Sequence, residues 1–254
     1  MPEFCYLGHR LHYTDQGAGT PLLLLHGNAA SSNMFYGTAQ RYAASFRVIC
    51  PDFLGHGASD RLSEFPTDLW FEEARQVIAL LRALDLGPAH LIGTSGGALT
   101  AINVALEAPE LVRKVIADSF EGDHSLEAVT SYLAEEREAS KQDENARQFF
   151  RYMHGEDWEG VVDNDTAAVL RHHKEIGRFF HRPLSELRTD ILLTGSLEDE
   201  FLLSMAPGYM EKTYQNLLTQ IGHGSLYLFP SGGHPAMFSS SDDFYRLSLD
   251  FLNS

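Results

Sequence analysis

The feature that most limits what this chain can fold into recurs along it: a short run with an apolar centre that ends in glycine or a small polar residue. "PLLLLHG" (Pro21 to Gly27) is the clearest case. "RVICPD" (Arg47 to Asp52), "AHLIGTS" (Ala89 to Ser95), "VRKVIADS" (Val112 to Ser119), "DILLTGS" (Asp190 to Ser196) and "GSLYLFPSGG" (Gly224 to Gly233) repeat the type. A strand that is apolar along its whole length is one buried on both faces. Helical periodicity fills the intervals. Val77, Leu80, Leu81 and Leu84 share one face of a helix closed by Gly87-Pro88. Leu99, Ile102 and Leu106 mark a second helix, stopped near Pro109, and Phe244, Leu247 and Phe251 a third at the C-terminus. "EFCYLGHRLHYTDQG" predicts a β-hairpin turning at Gly8. The alternation predicts an α/β architecture, a mostly parallel sheet covered by helices on both sides. Ligands then bind at the carboxyl ends of the strands, so the residues just after each strand matter most.

One interval breaks the rhythm. From about Phe120 to Leu187 helical patterns replace strands: Leu126/Val129/Leu133, then Phe149/Phe150/Met153, then Val169/His173/Ile176/Phe180. This mixed-charge, aromatic-rich segment predicts a helical insertion over the strand ends. The expected organisation is a core of residues 1–120 and 188–254 with a helical cap at 121–187. The alternative is a set of helices packed at the sheet edge with no site beneath. Composition narrows the partners. The chain has 254 residues, 19 Lys+Arg against 35 Asp+Glu, and a formal charge of −16. That acidity argues against nucleic acid or an anionic membrane surface. No stretch approaches the roughly 18 apolar residues of a membrane helix, and the first residues hold no signal-peptide apolar region. The expectation is a cytoplasmic protein acting on a small-molecule substrate, its oligomeric state left open. Cys5 and Cys50 are too few for a disulfide framework; both fall in expected strands and are expected to be inert, buried thiols.

Gly93-Thr94-Ser95-Gly96-Gly97 reads G-x-S-x-G. It follows the strand run "AHLI" and precedes the amphipathic "ALTAINVALEA", the strand–turn–helix context this motif requires. A serine raised on so sharp a turn takes a strained backbone, so the residues two places to either side must lack bulk. Gly93 and Gly97 do. Gly96 puts a backbone N–H, at a helix N-terminus, beside an oxygen that develops negative charge. Ser95 is thus the candidate nucleophile. The competing reading is a Gly/Ser-rich helix cap without chemistry.

Three more segments flank this turn in order. They are "LLLLHGNAAS" with His26-Gly27, "PDFLGHGASD" with Asp52, Gly55, Gly57 and Ser59 spaced D-x-x-G-x-G-x-S, and "SGGHPAM" with His234. Together with the turn at Ser95 they resemble the α/β-hydrolase-fold family over essentially the whole chain. The resemblance implies an eight-stranded, mostly parallel sheet with a cap inserted after the sixth strand. It also implies a catalytic triad in the order Ser, acid, His, with no cofactor and no metal. His234 maps to the base that takes the serine proton and returns it to the leaving group. Asn28, after His-Gly, maps to the second oxyanion donor beside Gly96. The acid follows "DILLTGS", where Glu198, Asp199 and Glu200 compete. Asp199 aligns as the family aspartate, Glu198 is the alternative, and Asp118 is a further candidate because some members draw the acid from the sixth strand.

Other histidines and carboxylates have quieter readings. His26 holds the oxyanion loop, and Asp52 and His56 brace the region around it. His223 precedes the last strand, at the wrong end of the sheet. His172-His173 invites a metal, but His173 falls on the apolar stripe of its helix, adjacent side chains diverge, and no Asp, Glu or Cys nearby completes a site. Serine at the turn excludes chemistry that needs a carboxylate nucleophile. The reading is a serine esterase cleaving a small to medium carboxylic ester, thioester or lactone through an acyl-Ser95 intermediate. Two alternatives stand beside it. One is a carbon–carbon hydrolase or lyase of the same fold, its charged substrate held by cap residues such as Arg151, Arg171, His172 or Arg178. The other is a ligand receptor with slow or no turnover. The fold does not choose among them. Phe149, Phe150, Trp158, Phe179 and Phe180 either line an acyl pocket or pin the cap to the body.

Overall fold

The computed structural model describes residues 2–202 and 208–254. Every apolar run of the sequence is a strand. The strands are β1 (Glu3–Tyr6), β2 (His9–Gly17), β3 (Pro21–Leu25), β4 (Arg47–Pro51), β5 (Ala89–Thr94), β6 (Val112–Asp118), β7 (Asp190–Ser196) and β8 (Ser225–Phe229). They form one eight-stranded sheet in the order β1-β2-β4-β3-β5-β6-β7-β8. The β1–β2 and β2–β4 pairs are antiparallel and the rest parallel. The hairpin turns through Leu7 (φ 50°) and Gly8 (φ 87°), a pair of left-handed residues whose twist matches that of the flanking strands. β3 and β5, at the centre, are buried throughout. β8, at the edge, departs from the expected two-sided burial: its exposure alternates and Tyr227 faces solvent. Cys5 departs as well. It lies on edge strand β1 and is exposed, whereas Cys50 on β4 is buried, its thiol pushed up to about 12 by burial.

The helices are α1 (Tyr36–Tyr42), α2 (Leu69–Leu84), α3 (Gly96–Glu107), α4 (Glu127–Ser140), α5 (Glu144–His154), α6 (Trp158–Glu175), α7 (Tyr209–Ile221), α8 (Ala236–Ser239) and α9 (Ser241–Asn253). Side chains alternate across the sheet. Leu23, Leu25, Leu91, Val115 and Leu193 point to the layer of α2, α3 and α7. Leu22, Leu24, Ile92, Ile116 and Leu192 point to the layer of α1 and α9. α2 stops three residues before the expected Gly87, because Asp85 takes the left-handed conformation (φ 47°) that ends a helix.

α4, α5 and α6 lie between β6 and β7 and pack on one another. The inward stripe of α6 is Trp158, Val161, Val162, Asp165, Ala168, Val169 and His172. So the expectation for His173 was one residue out of phase. His172 is the buried one, edge-on to Trp70 and stacked on Phe179, while His173 bonds Ser125 and Glu127 at the rim.

Candidate active site

The turn after β5 is built by steric exclusion. Ser95 takes φ 56°, ψ −126°, and its N–H donates to the Asp118 carbonyl at 2.8 Å. A β-carbon at Gly93 would stand 2.0 Å from the Gly97 carbonyl oxygen, and one at Gly97 2.1 Å from that of Leu25. The loop after β3 runs directly against this turn. A β-carbon at Gly27 would lie 2.9 Å from Ser95 Cβ, and one at Gly96 2.1 Å from Asn28 Oδ1. Asn28 Oδ1 in turn accepts from Trp70 Nε1 at 3.2 Å.

Ser95, Asn28, Gly96, Asp199 and His234 border a single cavity of about 300 Å³ beyond the carboxyl ends of the strands. His234 Nδ1 meets Asp199 Oδ2 at 2.8 Å, with the Asp199 side chain almost fully buried. The three competing carboxylates do different things. Asp199 alone bonds the imidazole. Glu200 accepts from the His234 backbone N–H at 2.8 Å, and Glu198 from that of Gly232 at 3.2 Å. Asp118 is enclosed, bonded by Thr94, Thr194, Ser119 and the Met237 N–H, and burial raises its pKa. It ties β5, β6 and β7 together rather than meeting His234. His223 bonds the Leu187 carbonyl at 3.0 Å, at the amino end of β8.

A seam of buried polar groups holds the loop after β3. His26 Nδ1 donates to the Gly27 carbonyl (2.9 Å) and Nε2 accepts from Phe53 N–H (3.2 Å). Burial, and then the neighbouring His56, lowers its pKa to about 3. Asp52 accepts from the Ser32 and Ala58 N–H groups and from His12. Burial opposes its charge, but these bonds hold it at about 2. From α6, Asp165 accepts from Ala29 N–H (3.0 Å) and His56 Nε2 (3.1 Å). From the end of α5, His154 accepts from Gly57 N–H and donates to the Ala29 carbonyl.

Arg137 and Glu121 are among the cavity residues that escaped the sequence reading. Arg137 is the sole arginine or lysine among the described lining residues. It sits four residues past Leu133, on the apolar stripe continued by one turn, which is the signal that could have revealed it. Glu121 also lines the cavity; burial pushes its carboxyl up to about 8 while it accepts from Leu126 N–H. The cap residues weighed for a charged substrate do not line the cavity: Arg151 pairs with Glu156, Arg171 with Glu64, and His172 is packed in the core. Among the aromatics, Phe149 and Phe150 line it, whereas Trp158 stacks behind Phe150 and Phe179 packs on Trp70.

A strained serine at a strand–helix turn, a histidine after the last strand of a parallel sheet and a cavity between them define an α/β-hydrolase-type site. The chain belongs to the alpha/beta hydrolase fold family, whose model matches residues 20–220. It is 28% identical to a 2-hydroxy-6-oxo-6-phenylhexa-2,4-dienoate hydrolase of Burkholderia cepacia, covering 96% of this chain and 91% of that protein. It is 25% identical to the mouse (Mus musculus) serine hydrolase BPHL, covering 96% and 84%. Its fold superposes on a meta-cleavage product hydrolase of Pseudomonas fluorescens with a TM-score of 0.79, at 23% identity over 100% of this chain and 97% of the other. Among the described residues no helix is long and apolar enough to cross a membrane.

Proposed function

We propose that the chain is a serine hydrolase in which Ser95 is the nucleophile, His234 the base and Asp199 its partner. The N–H groups of Asn28 and Gly96 receive the oxyanion, and residues 121–187 cap the site. The observation that carries this reading is the 2.8 Å Asp199–His234 bond beside the cavity that Ser95 borders. Asp199 holds the imidazole with Nδ1 protonated, which leaves Nε2 free to take a proton. Ser95 Oγ adds to a carbonyl carbon as its proton passes to His234. The bond to the leaving group breaks and His234 returns the proton to that group. Water then repeats the sequence on the acyl-serine, releasing an acid and restoring Ser95.

Two bonds fit this chemistry. Likeness to the dienoate hydrolase over nearly the whole chain favours a carbon–carbon bond next to a ketone, in a substrate whose leaving carbon departs as a conjugated enolate. The apolar wall of Leu99, Val129, Leu133, Phe149, Phe150 and Val169 favours the second reading, an ester or lactone with an apolar acyl group.

A fluorophosphonate probe tests the nucleophile. Labelling of the wild type that disappears in Ser95→Ala and falls in His234→Ala is the expected result. Relative turnover of a 2-hydroxy-6-oxo-dienoate and of a p-nitrophenyl ester then selects the bond. An unlabelled wild type that gains thermal stability from a ligand without turning it over points to a receptor instead.

A further inference from the structure

The residue before and the residue after the Asn28 N–H are both tied down, from opposite sides. On the core side, the Gly27 carbonyl accepts from His26 Nδ1 at 2.9 Å and from Ala30 N–H at 3.3 Å. On the cap side, the Asn28–Ala29 peptide is gripped at both ends. Its N–H donates to Asp165 Oδ2 at 3.0 Å, and its carbonyl accepts a longer bond, 3.4 Å, from Arg137 Nη2. Arg137 and Asp165 stand on different cap helices, α4 and α6, and are joined at 3.4 Å. Ala29 is a non-glycine residue at φ 47°, a conformation that persists only where the surroundings over-determine it. The carboxylate that holds it is completely buried, an expensive place for a charge unless its bonds are all made. Asp165 makes them to Ala29, His56 and Arg137.

A peptide whose carbonyl and N–H are both bonded does not flip. We infer that Asp165, assisted by Arg137, is a positioning residue for the oxyanion hole, so that the hole is complete only while α4 and α6 are seated on the loop after β3. The cap then does more than cover the cavity: it fixes the peptide that follows the Asn28 N–H, through a carboxylate 136 residues beyond Ala29. The inference rests on reading Asn28 as an oxyanion donor.

The test compares a p-nitrophenyl ester with the trifluoromethyl ketone of the same acyl chain, in the full-length protein. The ketone accepts Ser95 Oγ at its carbonyl carbon while the proton passes to His234, leaving an oxyanion in the hole. Loss of one oxyanion donor lowers kcat by about 100- to 1000-fold, so a misdirected donor in Asp165→Ala should lower it by about 30- to 100-fold. KM should stay within about threefold, and ketone affinity should fall by the same factor as kcat/KM. Asp165→Asn keeps an oxygen for the Ala29 N–H and should recover most of the loss. Arg137→Gln should show the same kcat-only pattern at about 3- to 10-fold, and it decides the matter if Asp165→Ala does not fold. Loss that appears in KM, or a ketone affinity unchanged in the variants, overturns the clamp alone. A wild type that the ketone does not inhibit overturns the reading of the site, and the clamp with it.

Discussion

At the scale of single residues, the site is held open by what is missing from it. Neither Gly93, against the Gly97 backbone, nor Gly97, against the Leu25 and His26 carbonyls, has room for a methyl group. Gly93→Ala should cost about 3 kcal/mol or more, since the clash is with backbone and cannot be relieved by a rotamer change; urea unfolding measures it. In the proposed triad one contact singles out the acid. Asp199→Asn should lower kcat by about 10⁴-fold by presenting the wrong hydrogen-bonding partner to Nδ1, whereas Glu198→Gln should leave kcat within about threefold, because Glu198 bonds the Gly232 N–H and not the imidazole. Steady-state kinetics on a common ester separates the two. In the sequence these carboxylates are adjacent and chemically alike. Only the curl of the loop after β7 distinguishes them.

At the scale of elements, the seam between the loop after β3 and helices α5 and α6 contains two neutral histidines. His26 and His154 each accept a backbone N–H on one ring nitrogen and donate to a carbonyl with the other. Protonation would set N–H against N–H. Burial first, then His56, lowers His154 to about 4 and His26 to about 3, against 6.5 for the free side chain. Between those values the unfolded chain binds protons that the folded one refuses, so stability falls as pH drops from about 6.5 to 4. His154 alone contributes about 3 kcal/mol to that slope. Asp52 and Asp165, both held near 2, add losses only below the ordinary carboxylate value of 3.8. Glu121, raised to about 8 by burial, acts the other way, losing stability as pH climbs from 4.5. Melting temperatures at pH 7 and 4.5 should therefore differ less in His154→Gln, whose amide can both accept and donate, than in the wild type. An unchanged difference would assign the slope elsewhere.

At the scale of the whole molecule, the formal charge of −16 acts on the fold before it acts on any partner. Self-repulsion is screened as the Debye length shrinks from about 30 Å at 0.01 M salt to about 10 Å at 0.1 M. The melting temperature should rise by about 2–4 °C over that range, equivalent to about 1 kcal/mol for a chain of this size; calorimetry at the two salt concentrations checks it. A fall would mean that the surface ion pairs outweigh the net charge. The layered sheet, its parallel order and the serine turn were determined by the sequence itself. They follow from local rules: apolar runs that must be buried on both faces, and glycines where a β-carbon would collide with backbone. The charged residues on the inward faces of α4 and α6 were not legible in this way. Arg137 and Asp165 are charged residues on buried stripes, and a hydrophobicity pattern passes over them. Their burial is tolerated only because α4, α6 and the loop after β3, far apart in sequence, meet and satisfy one another's charges and hydrogen bonds. Only the tertiary structure decides that, because the partners that make such a position affordable have no local signature.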